Sequence, residues 1–432
     1  MADSTEPMRE ARLPIRRFRV IVEAGPNQGE EVTSTDSVSV GAADGNDLVL
    51  DDRAVSQFHL RVRRTGSALM VLDRGSTNGT RVGTVELRGV EAKVDAGTIL
   101  TIGRSKLRVE NGAVETVERG PARFGDLHGE GEAMRVLFTT LSRAAATEMP
   151  VVITGESGTG KELAARAIHD HGARCEEPFV TVDCGAVSPT LFQSQLFGHE
   201  RGAFTGATAR AEGAFERAGA GTVFLDEIGE LPMDLQASLL GVLERRTYQR
   251  LGGAERLPMQ ARVIAATHRD LQRAVNSGAF RLDLFYRLAV VRVEIPPLHE
   301  RIEDLPMLAD HFLSQAGSSS TLRDLVEEEA FERMLRHDWP GNVRELRNVV
   351  LGALAMGSAP ALMSSGSTDE SLDVDAWDKP FREAKRDAIE RFERQYLSTL
   401  MHRADGNIRQ AARDGKMDRS YLMELLRRYG MR

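Results

Sequence analysis

Residues 151–162, with the sequence VVITGESGTGKE, decide the fold of the central part of the chain. An apolar run suited to a strand enters a glycine-rich loop, and a helical stretch leaves from Lys161. Gly155, Gly158 and Gly160 allow backbone N–H groups to turn toward phosphate oxygens, and a helix N-terminus adds partial positive charge. The pattern therefore predicts a phosphate-binding loop in which Lys161 reaches the β- and γ-phosphates of a nucleotide.

One position of this loop departs from the general pattern. Glu162 follows Lys161 where a Ser or Thr hydroxyl usually ligates Mg²⁺, so that ligand is missing from the sequence. We still expect the whole loop to contact nucleotide. The predicted contacts are Gly155, Glu156, Ser157, Gly158, Thr159, Gly160, Lys161 and Glu162.

A second motif, GTVFLDEIGE at residues 221–230, is an apolar strand that ends in two carboxylates. A lone Leu-Asp-Glu is common in exposed acidic turns, but beside a phosphate loop it predicts a Walker B element. Asp226 would then hold Mg²⁺, directly or through water, and Glu227 would orient and polarise the attacking water. A further strand, VIAATHRD at 263–270, ends with Thr267 and His268, which we expect to sense the γ-phosphate because ligands bind at the carboxyl ends of parallel strands.

The pattern of apolar runs divides the chain into unlike parts. Short strands separated by turn clusters predict an all-β module, strands alternating with helices predict a parallel α/β sheet, and helical patterns follow. A stretch rich in Gly, Ser and Pro predicts a linker before a final helical module, and NGAVETVERGPA at 111–122 also predicts a linker. The predicted domains are 15–110, 123–298 and 299–358, followed by a linker at 359–379 and a last domain at 380–432.

Composition sets limits on function. The chain has 432 residues, of which 41% are hydrophobic and 28% charged, as expected of a globular protein. Two cysteines are too few for a disulfide framework, and the sequence has no apolar stretch long enough to span a membrane and no secretory signal, so we expect a cytoplasmic protein.

The net charge of −8 would by itself argue against a nucleic-acid binder. Residues 379–432, however, hold 14 Lys and Arg against 8 Asp and Glu, which is a net charge of +6. The first 378 residues therefore have a net charge of −14, and the basic end of the chain has the charge that DNA binding requires.

Residues 196–207, LFGHERGAFTGA, contain a segment without a catalytic group. Glycines flank an aromatic residue, so the segment predicts a flexible loop tip with an exposed Phe, which indicates a contact with another protein. The residues concerned are Gly202, Ala203, Phe204, Thr205, Gly206 and Ala207.

Taken together, these motifs resemble those of the bacterial enhancer-binding proteins, the NtrC-like AAA+ activators of sigma-54 RNA polymerase. GESGTGKE, LFGHERGAFTGA, GTVFLDEIGE, FRLDLFYRL at 280–288 and WPGNVREL at 339–346 occur in the family's order. The resemblance implies an ATPase that uses ATP and Mg²⁺, a hexameric ring, and a loop at 202–207 that contacts sigma-54. In this family a Glu usually follows the P-loop lysine, so Glu162 fits the family pattern. The resemblance also makes Arg281 and Arg287 the arginine fingers that reach a neighbouring subunit, and Arg344 a sensor on the lid.

The sequence departs from this family at Asp183, where an Asn usually restrains the Walker B glutamate. A like charge near Glu227 would alter that restraint, so we expect the coupling between nucleotide and loop to differ.

The basic tail predicts two short helices with a tight turn near Gly415 and with Asp418 as N-cap of the second. A helix-turn-helix and a basic dimerisation hairpin both fit this pattern. The segment resembles the Fis-type DNA-binding domain, which implies upstream enhancer DNA as a partner and a dimerising helix within 380–402. The predicted DNA contacts are Lys416, Arg419, Ser420, Tyr421, Arg427 and Arg428.

The N-terminal β module resembles a forkhead-associated (FHA) domain, through Gly41, NDLVLDD at 46–52, VSQFH at 55–59 and GSTNGT at 75–80. FHA domains bind phosphothreonine peptides. The resemblance implies that Ser56 meets the phosphate, that Thr77 and Asn78 meet the peptide backbone, and that His59 is structural.

The phosphate-gripping Arg of that family is replaced here by Ala42. Loss of this charge-assisted contact would weaken phosphopeptide binding unless Arg53, Arg74 or Arg81 compensates. An FHA-like fold used only for protein contacts remains the alternative.

The sequence thus predicts an FHA sandwich, an α/β AAA+ P-loop core with a helical lid, and an all-α helix-turn-helix domain. The predicted function is ATP-driven activation of sigma-54 RNA polymerase, with input from a phosphothreonine protein or another signalling partner. Two alternatives remain: a AAA+ enzyme that remodels a different protein, and a DNA-binding regulator with an inactive ATPase.

Overall fold

A computed structural model describes residues 12–356, except 67, 119–120 and 186–188, and a smaller part of the chain beyond residue 356. That smaller part consists of residues 397, 401, 408, 410, 413 and 417 and the helix at 419–428. The chain divides into two compact units, Met1–Leu362 and Met363–Arg432, which we describe separately.

The N-terminal β module is a sandwich of two sheets with one apolar core between them. Alternating residues of its strands are buried, so that Phe18, Val20, Val40 and Leu107 meet inside. One sheet has the strand order β2-β1-β11-β10-β7-β8 and the other β4-β3-β5-β6-β9. The strands are β1 Arg12–Ala24, β2 Glu31–Ser34, β3 Ser37–Gly41, β4 Leu48–Val49, β5 Leu60–Thr65, β6 Ala68–Asp73, β7 Thr80–Val82, β8 Val85–Leu87, β9 Glu91–Val94, β10 Ile99–Ile102 and β11 Ser105–Glu118. This confirms the predicted all-β fold, and we refer to residues 12–118 as the FHA-like domain.

The linker predicted at 111–122 is in large part wrong. Strand β11 continues to Glu118 and pairs with β1 in antiparallel register as far as Arg12 opposite Glu118. Val114, in this extension, is exposed, so backbone pairing rather than burial forms the strand. The composition of this segment suggested a linker, whereas backbone pairing with β1 makes it a strand.

The second module of the first unit is the predicted α/β domain. Five parallel strands, in the order β15-β16-β19-β14-β20, lie between helices, and two apolar clusters fill the two faces of the sheet. Its strands are β12 Arg123–Phe124, β13 Leu127–His128, β14 Val151–Thr154, β15 Phe179–Asp183, β16 Thr222–Asp226, β17 Thr247–Tyr248, β18 Leu257–Pro258, β19 Arg262–Thr267 and β20 Val291–Glu294. Its helices are α1 Glu132–Ala145, α2 Lys161–Asp170, α3 Pro189–Phe197, α4 Ala214–Ala218, a 3-10 turn Ile228–Glu230, α5 Met233–Arg245, α6 Leu271–Asn276 and α7 Leu282–Leu288.

A helical lid follows this sheet, as predicted. Its core surrounds the fully buried Trp339. The helices are a 3-10 segment Leu298–Asp304, α8 Leu305–Gln315, α9 Leu322–Leu325, α10 Glu328–Arg336 and α11 Asn342–Met356.

In the second unit, helix α12 spans Arg419–Arg428. The predicted N-cap Asp418 and the predicted turn near Gly415 lie outside the described residues. Its residues Leu422, Leu425 and Leu426 are buried in a small core with Leu397. Arg427 and Arg428 are exposed in its last turn. The linker at 359–379, Lys416 and the side chains of Arg419, Ser420 and Tyr421 lie outside the described residues. No helix among the described residues is long and apolar enough to cross a lipid bilayer.

Candidate functional site

The phosphate loop joins β14 to α2 at the carboxyl edge of the sheet. Its three glycines all have positive φ, with values of 155° at Gly155, 81° at Gly158 and 105° at Gly160, which L residues with side chains rarely adopt. A Cβ at Gly158 would lie 2.3 Å from the carbonyl oxygen of Gly341 in the lid. Glycine is therefore required here both by the turn and by the close approach of the lid.

Lys161 begins α2 and lies within this loop. Its Nζ donates to the carbonyl oxygens of Gly155 at 2.9 Å and Glu156 at 3.2 Å, and lies 3.8 Å from Oε1 of Glu227. Burial lowers the pKa of the Lys161 ammonium, while the charges of Glu227 and Asp226 oppose that shift. The ammonium is thus held by loop carbonyls at the place where a nucleotide's phosphates would be received.

Asp226 is the last residue of β16 and Glu227 follows it, beside β19. Glu227 has φ 50°, a left-handed conformation that is strained for a residue with a side chain, and such strain is typical of functional sites. Its Oε2 accepts from the backbone N–H of His268 at 3.2 Å and lies 2.7 Å from His268 Nδ1. Thr267 Oγ1 donates to the same oxygen at 3.5 Å, so both predicted sensor residues contact the predicted catalytic glutamate.

The two carboxylates have opposite pKa shifts. Burial raises the pKa of Asp226, and the neighbouring charges of Glu227 and Asp183 add to that increase. Burial also opposes ionisation of Glu227, but hydrogen bonds from His268 and the charge of Lys161 together lower its pKa below the ordinary value. The site therefore favours the ionised form of Glu227 and disfavours that of Asp226, relative to their ordinary pKa values.

Asp183 lies beside Asp226 in the register of β15 and β16. Its Oδ1 accepts from the backbone N–H of Gly185 at 2.8 Å. The negative charge of Asp183, which was expected to act on Glu227, thus raises the pKa of Asp226. Glu227 itself contacts His268.

A pocket of about 530 Å³ contains most of these residues and extends to the lid. Beyond the phosphate loop it is lined by Leu127 and His128 of β13 and by His311 and Phe312 of α8. The rings of His128 and His311 lie 4.1 Å apart. Sequence reasoning missed this half of the pocket because its residues come from segments far apart in the chain and form no local motif.

Lid residues reach the phosphate loop directly. Arg344 donates from its backbone to Gly158 O at 3.3 Å and from Nη1 to Ser157 Oγ at 3.2 Å, which places the predicted sensor at the nucleotide site. Asn342 donates to Glu156 Oε2 at 2.9 Å, and Arg301 donates to Thr159 O at 3.3 Å.

Asn342 and Arg301 were not predicted. Arg301 is fully buried, and burial lowers its pKa to about 10. Asn342 has φ 52° and lies within WPGNVREL, so this motif could have indicated it.

Of the two predicted arginine fingers, Arg281 immediately precedes α7 and Arg287 lies in its last turn. Arg281 pairs with Asp283 at 2.7 Å, and Arg287 donates to the carbonyl oxygen of Leu243 at 3.1 Å. Neither arginine lines the pocket described above. The structure therefore does not bring them to the nucleotide site of their own chain.

The segment at 202–207 forms a compact turn. Gly202 N–H donates to Ala207 O at 2.8 Å, and both glycines, Gly202 and Gly206, have positive φ with no atom near an added Cβ. The expectation of an exposed Phe is corrected in one respect: Phe204 is only half-exposed because its ring packs edge-on against His199, with centroids 5.0 Å apart. Thr205 and Gly206 form the exposed tip.

The base of this turn rests on Arg250, which sequence reasoning also missed. Its side chain is only 5% exposed and pairs with Glu216 at 2.7 Å and Glu200 at 3.1 Å. The backbone carbonyl oxygen of Glu200 in turn accepts from the backbone N–H of Ala203 at 3.2 Å. Arg250 thereby fixes the start of the turn to α4.

The predicted phosphopeptide residues lie together in the FHA-like domain. Thr77 N–H donates to Ser56 Oγ at 3.0 Å, and Asn78 Nδ2 donates to Ala54 O at 2.8 Å. Ser56 is half-exposed, while Thr77 and Asn78 are exposed.

His59 is fully buried, as expected of a structural residue. Its Nδ1 accepts from Ser56 N–H at 3.1 Å, and its Nε2 lies 3.1 Å from Gly79 O. This is the pattern of a neutral imidazole, and burial lowers its pKa.

The compensating arginines differ from one another. Arg74 is buried and paired with Asp270 of the α/β domain, so it does not face a ligand. Arg81 is exposed and lines a small pocket with Asn78 and Arg104, and Arg53 is exposed.

Family models match three parts of the chain. A sigma-54 interaction domain matches residues 127–294, and a AAA+ ATPase lid domain matches 299–365. Residues 21–112 match the model described as the cytoplasmic domain of an inner membrane component of T3SS.

Curated relatives cover the same region. The regulatory protein AtoC of Escherichia coli is 40% identical over 317 residues, which is 72% of this chain and 68% of AtoC. The transcriptional regulator NtrC of Salmonella typhimurium is 39% identical and covers 71% of this chain and 70% of its own length. The chain spans only 57% of the NtrC of Azospirillum brasilense, with 44% identity over 63% of this chain.

Solved structures are also similar. NtrX from Brucella abortus in complex with ADP has a TM-score of 0.52 at 34% identity and covers 71% of this chain and 69% of its own. The complex of the same protein with ATP has a TM-score of 0.50 at 36% identity and covers 72% of this chain and 70% of its own.

Proposed function

Because the chain belongs to the NtrC-type family of sigma-54-dependent transcriptional activators, we propose that it hydrolyses ATP in an oligomeric AAA+ ring and thereby remodels sigma-54 RNA polymerase into the open complex. The observation that supports this most directly is the contact of His268 with Glu227, which lines the same pocket as Lys161. A strained, ionised carboxylate held by the residues at the end of β19 suits a group that positions water against a γ-phosphate.

In this mechanism, each side chain has a separate task. Lys161 leaves its loop carbonyls to hold the β- and γ-phosphates, and Arg344 approaches them from the lid. Glu227 orients and polarises the attacking water, so that ATP and water give ADP and phosphate. Thr267 and His268 sense the γ-phosphate and release or retain Glu227 accordingly. Arg281 and Arg287 act on the nucleotide of a neighbouring subunit, as the hexamer of the family implies.

The site suits a magnesium ion. Burial and two neighbouring carboxylates raise the pKa of Asp226, and a bound cation would relieve that repulsion. Asp226 would hold Mg²⁺ directly or through water, and Glu162 supplies no hydroxyl. The ion neutralises charge on the phosphates when it is bound.

The turn at 202–207 is the part that contacts sigma-54. Thr205 and Gly206 form the contact, Phe204 packs against His199 at the base, and hydrolysis moves the turn as a unit. Arg250 anchors the turn to α4, so that a movement of α4 is transmitted to the turn.

The second unit binds enhancer DNA upstream of the promoter through a helix-turn-helix in which α12 is the recognition helix. Its exposed Arg427 and Arg428 suit phosphate contacts, as the charge of +6 over residues 379–432 does. The FHA-like domain supplies the input, either from a phosphothreonine protein through Ser56, Thr77 and Asn78 or from another partner. This assignment places the protein in the cytoplasm.

The proposal is tested by formation of the open complex on DNA with a sigma-54 promoter, using purified polymerase and the full chain with ATP. The wild type should open the promoter, and Thr205→Ala should fail while it retains ATPase activity and DNA binding. Thr208→Ala, an exposed threonine just outside the turn, is the matched control and should behave as the wild type does.

Each contrary result favours a different alternative. If Thr205→Ala still activates, the assignment of the turn is wrong. If the wild type hydrolyses ATP but never opens the promoter, it remodels another protein. If the wild type shows no Mg²⁺-dependent turnover, the ATPase is vestigial.

A further inference from the structure

Phe58 of the FHA-like domain belongs to the core of the α/β domain. It is fully buried, and it packs with α/β-domain residues rather than with the core of its own sandwich. Its ring meets that of Phe285 on α7 edge-on, with centroids 5.1 Å apart. Because burial of a whole phenyl ring is favourable, this residue is the apolar centre of a contact between the two domains.

Backbone groups of the FHA-like domain are held by side chains of α6 and α7. Asn276, at the end of α6, accepts from Phe58 N–H at 3.2 Å and donates to Arg74 O at 3.2 Å. Tyr286 Oη on α7 accepts from Gly45 N–H at 3.2 Å. A Cβ at Gly45 would lie 2.4 Å from the Tyr286 ring, so the two surfaces fit without room for a side chain.

Ion pairs surround this centre. Arg74 pairs with Asp270, which is also the N-cap of α6 and follows the sensor residue His268 by two positions. Arg61 pairs with Glu294 at the end of β20, at 2.5 Å. The side chains of Arg74 and Asp270 are 9% and 29% exposed, so this pair is shielded from solvent more than an ordinary surface pair. Arg61 is 14% exposed, whereas its partner Glu294 is 46% exposed.

A third pair reaches across to the lid. Arg63 Nη1 lies 2.5 Å from Glu300, in the 3-10 segment Leu298–Asp304 with which the lid begins. Arg61 and Arg63 are two positions apart on β5 and thus point to the same side of the strand. One strand of the FHA-like domain therefore pairs with Glu294 at the end of the ATPase sheet and with Glu300 at the start of the lid. We call the chain between these two residues the lid hinge.

We propose that the FHA-like domain docks on its own ATPase domain through Phe58, Arg61, Arg63, Arg74 and Gly45, and that docking restrains both α7, which bears Arg287, and the lid hinge. The proposed restraint of ATP turnover rests on the proposed ATPase function, because the restrained parts are the arginine-finger helix and the lid. Docking and the ligand site share loops: Phe58 follows Ser56 by two positions, and Arg74 precedes Thr77 by three. Binding of a ligand at these loops thus acts directly on the contact between the two domains. Release of this contact raises ATP turnover.

Hydrogen–deuterium exchange of the full chain, together with ATP turnover, tests this. Arg61→Glu places a carboxylate against Glu294 and Asp36 and should raise exchange in residues 271–288 and 298–304. It should also raise turnover about fivefold or more. The double variant Arg61→Glu with Glu294→Arg restores the pair with reversed charges and should return both measurements toward the wild type.

Asn276→Ala, on the ATPase side, should act as Arg61→Glu does and does not depend on folding of the sandwich. Arg333→Glu, in the exposed pair with Glu329 on the lid, is the matched charge reversal and should change neither measurement.

Unchanged exchange in both Arg61→Glu and Asn276→Ala would overturn the docking. Raised exchange with unchanged or lower turnover would overturn the restraint. If no form of the chain hydrolyses ATP, the proposed function has failed, but the exchange data still decide the docking. The release rate of a fluorescent ATP analogue then decides the restraint: faster release from the variants supports it, and equal release overturns it.

Discussion

Glu227 and His268 meet across the ends of neighbouring strands, with Glu227 Oε2 2.7 Å from His268 Nδ1. The imidazole and the backbone N–H of the same residue hold one carboxylate oxygen. The orientation of Glu227 therefore depends on the residue that follows Thr267, at the place where a γ-phosphate would be sensed.

Glu227→Gln should lower kcat by a factor of about 10² to 10⁴, because the amide cannot polarise water, while ATP binding is retained. His268→Ala should lower kcat about tenfold, more than it changes KM, since it frees Glu227 and removes one of the two residues that sense the γ-phosphate while Lys161 and the loop still bind ATP. Steady-state ATPase assays measure both. Glu230→Gln, which removes a nearby carboxylate paired with Arg269, is the control, and a loss as large as that of Glu227→Gln would contradict the assignment.

Arg281→Ala and Arg287→Ala should each lower ATP turnover by a factor of about 10³ while ATP binding stays intact, because neither arginine lines its own pocket. Mixing either variant with Glu227→Gln should restore part of the activity, since a mixed ring forms some interfaces with an intact site and an intact finger. Turnover measured against the mixing ratio shows this. Equal inactivity at every ratio would indicate that the arginines act within their own subunit.

Arg250→Ala should lower the free energy of unfolding of the ATPase domain by about 3 kcal/mol, because Glu216 and Glu200 lose the cation that neutralises them. The matched control is Arg210→Ala, which removes a 53% exposed partner of the same Glu216 and should cost less than about 1 kcal/mol. Chemical denaturation measures both. Similar losses in the two variants would show that burial of Arg250 is not what matters.

The FHA-like domain should lose stability in mild acid through His59. Burial lowers the pKa of His59, so below about pH 6.5 the unfolded chain binds a proton that the folded domain excludes. Stability is complete above that pH and falls by up to about 1.4 kcal/mol for each further pH unit of acidification. Urea denaturation between pH 8 and 5 tests this, and an NMR titration that gives His59 an ordinary pKa would contradict it.

Ala42→Arg should strengthen binding of phosphothreonine peptides by about tenfold or more, because a guanidinium adds a charge-assisted hydrogen bond to phosphate beside Ser56. Fluorescence anisotropy with phosphorylated and unmodified peptides measures the gain. The added Ser56→Ala should remove it, and Arg53→Ala distinguishes a contribution from that arginine. No difference between the two peptide forms in any variant would indicate a fold used only for protein contacts.

The nucleotide site was predictable where chemistry is local. The loop around Lys161, the pair Asp226 and Glu227, and Thr267 with His268 each follow a strand that the apolar pattern identifies, and the parallel sheet brings the strand ends together. His128 and His311 were not predictable, because they approach only when the lid folds over the sheet.

Three expectations about single side chains differed from the structure for physical reasons. Phe204 has the sequence context of an exposed aromatic, but His199 five positions earlier provides a ring for it to pack against. Asp183 was expected to act on Glu227, but strand register places it opposite Asp226. Arg74 was one of the arginines expected to compensate for the missing phosphate contact, but in the structure it pairs with Asp270 of the α/β domain.

Phe58 has a practical consequence for dissecting the chain. An excised β sandwich would leave this phenyl ring on its surface, and the remainder would leave Phe285 without its aromatic neighbour. Separately expressed pieces are therefore best cut between the two compact units, after residue 362, rather than between the sandwich and the ATPase sheet. Grafting this sandwich onto another ATPase would require the acceptor to supply a cleft for one aromatic ring.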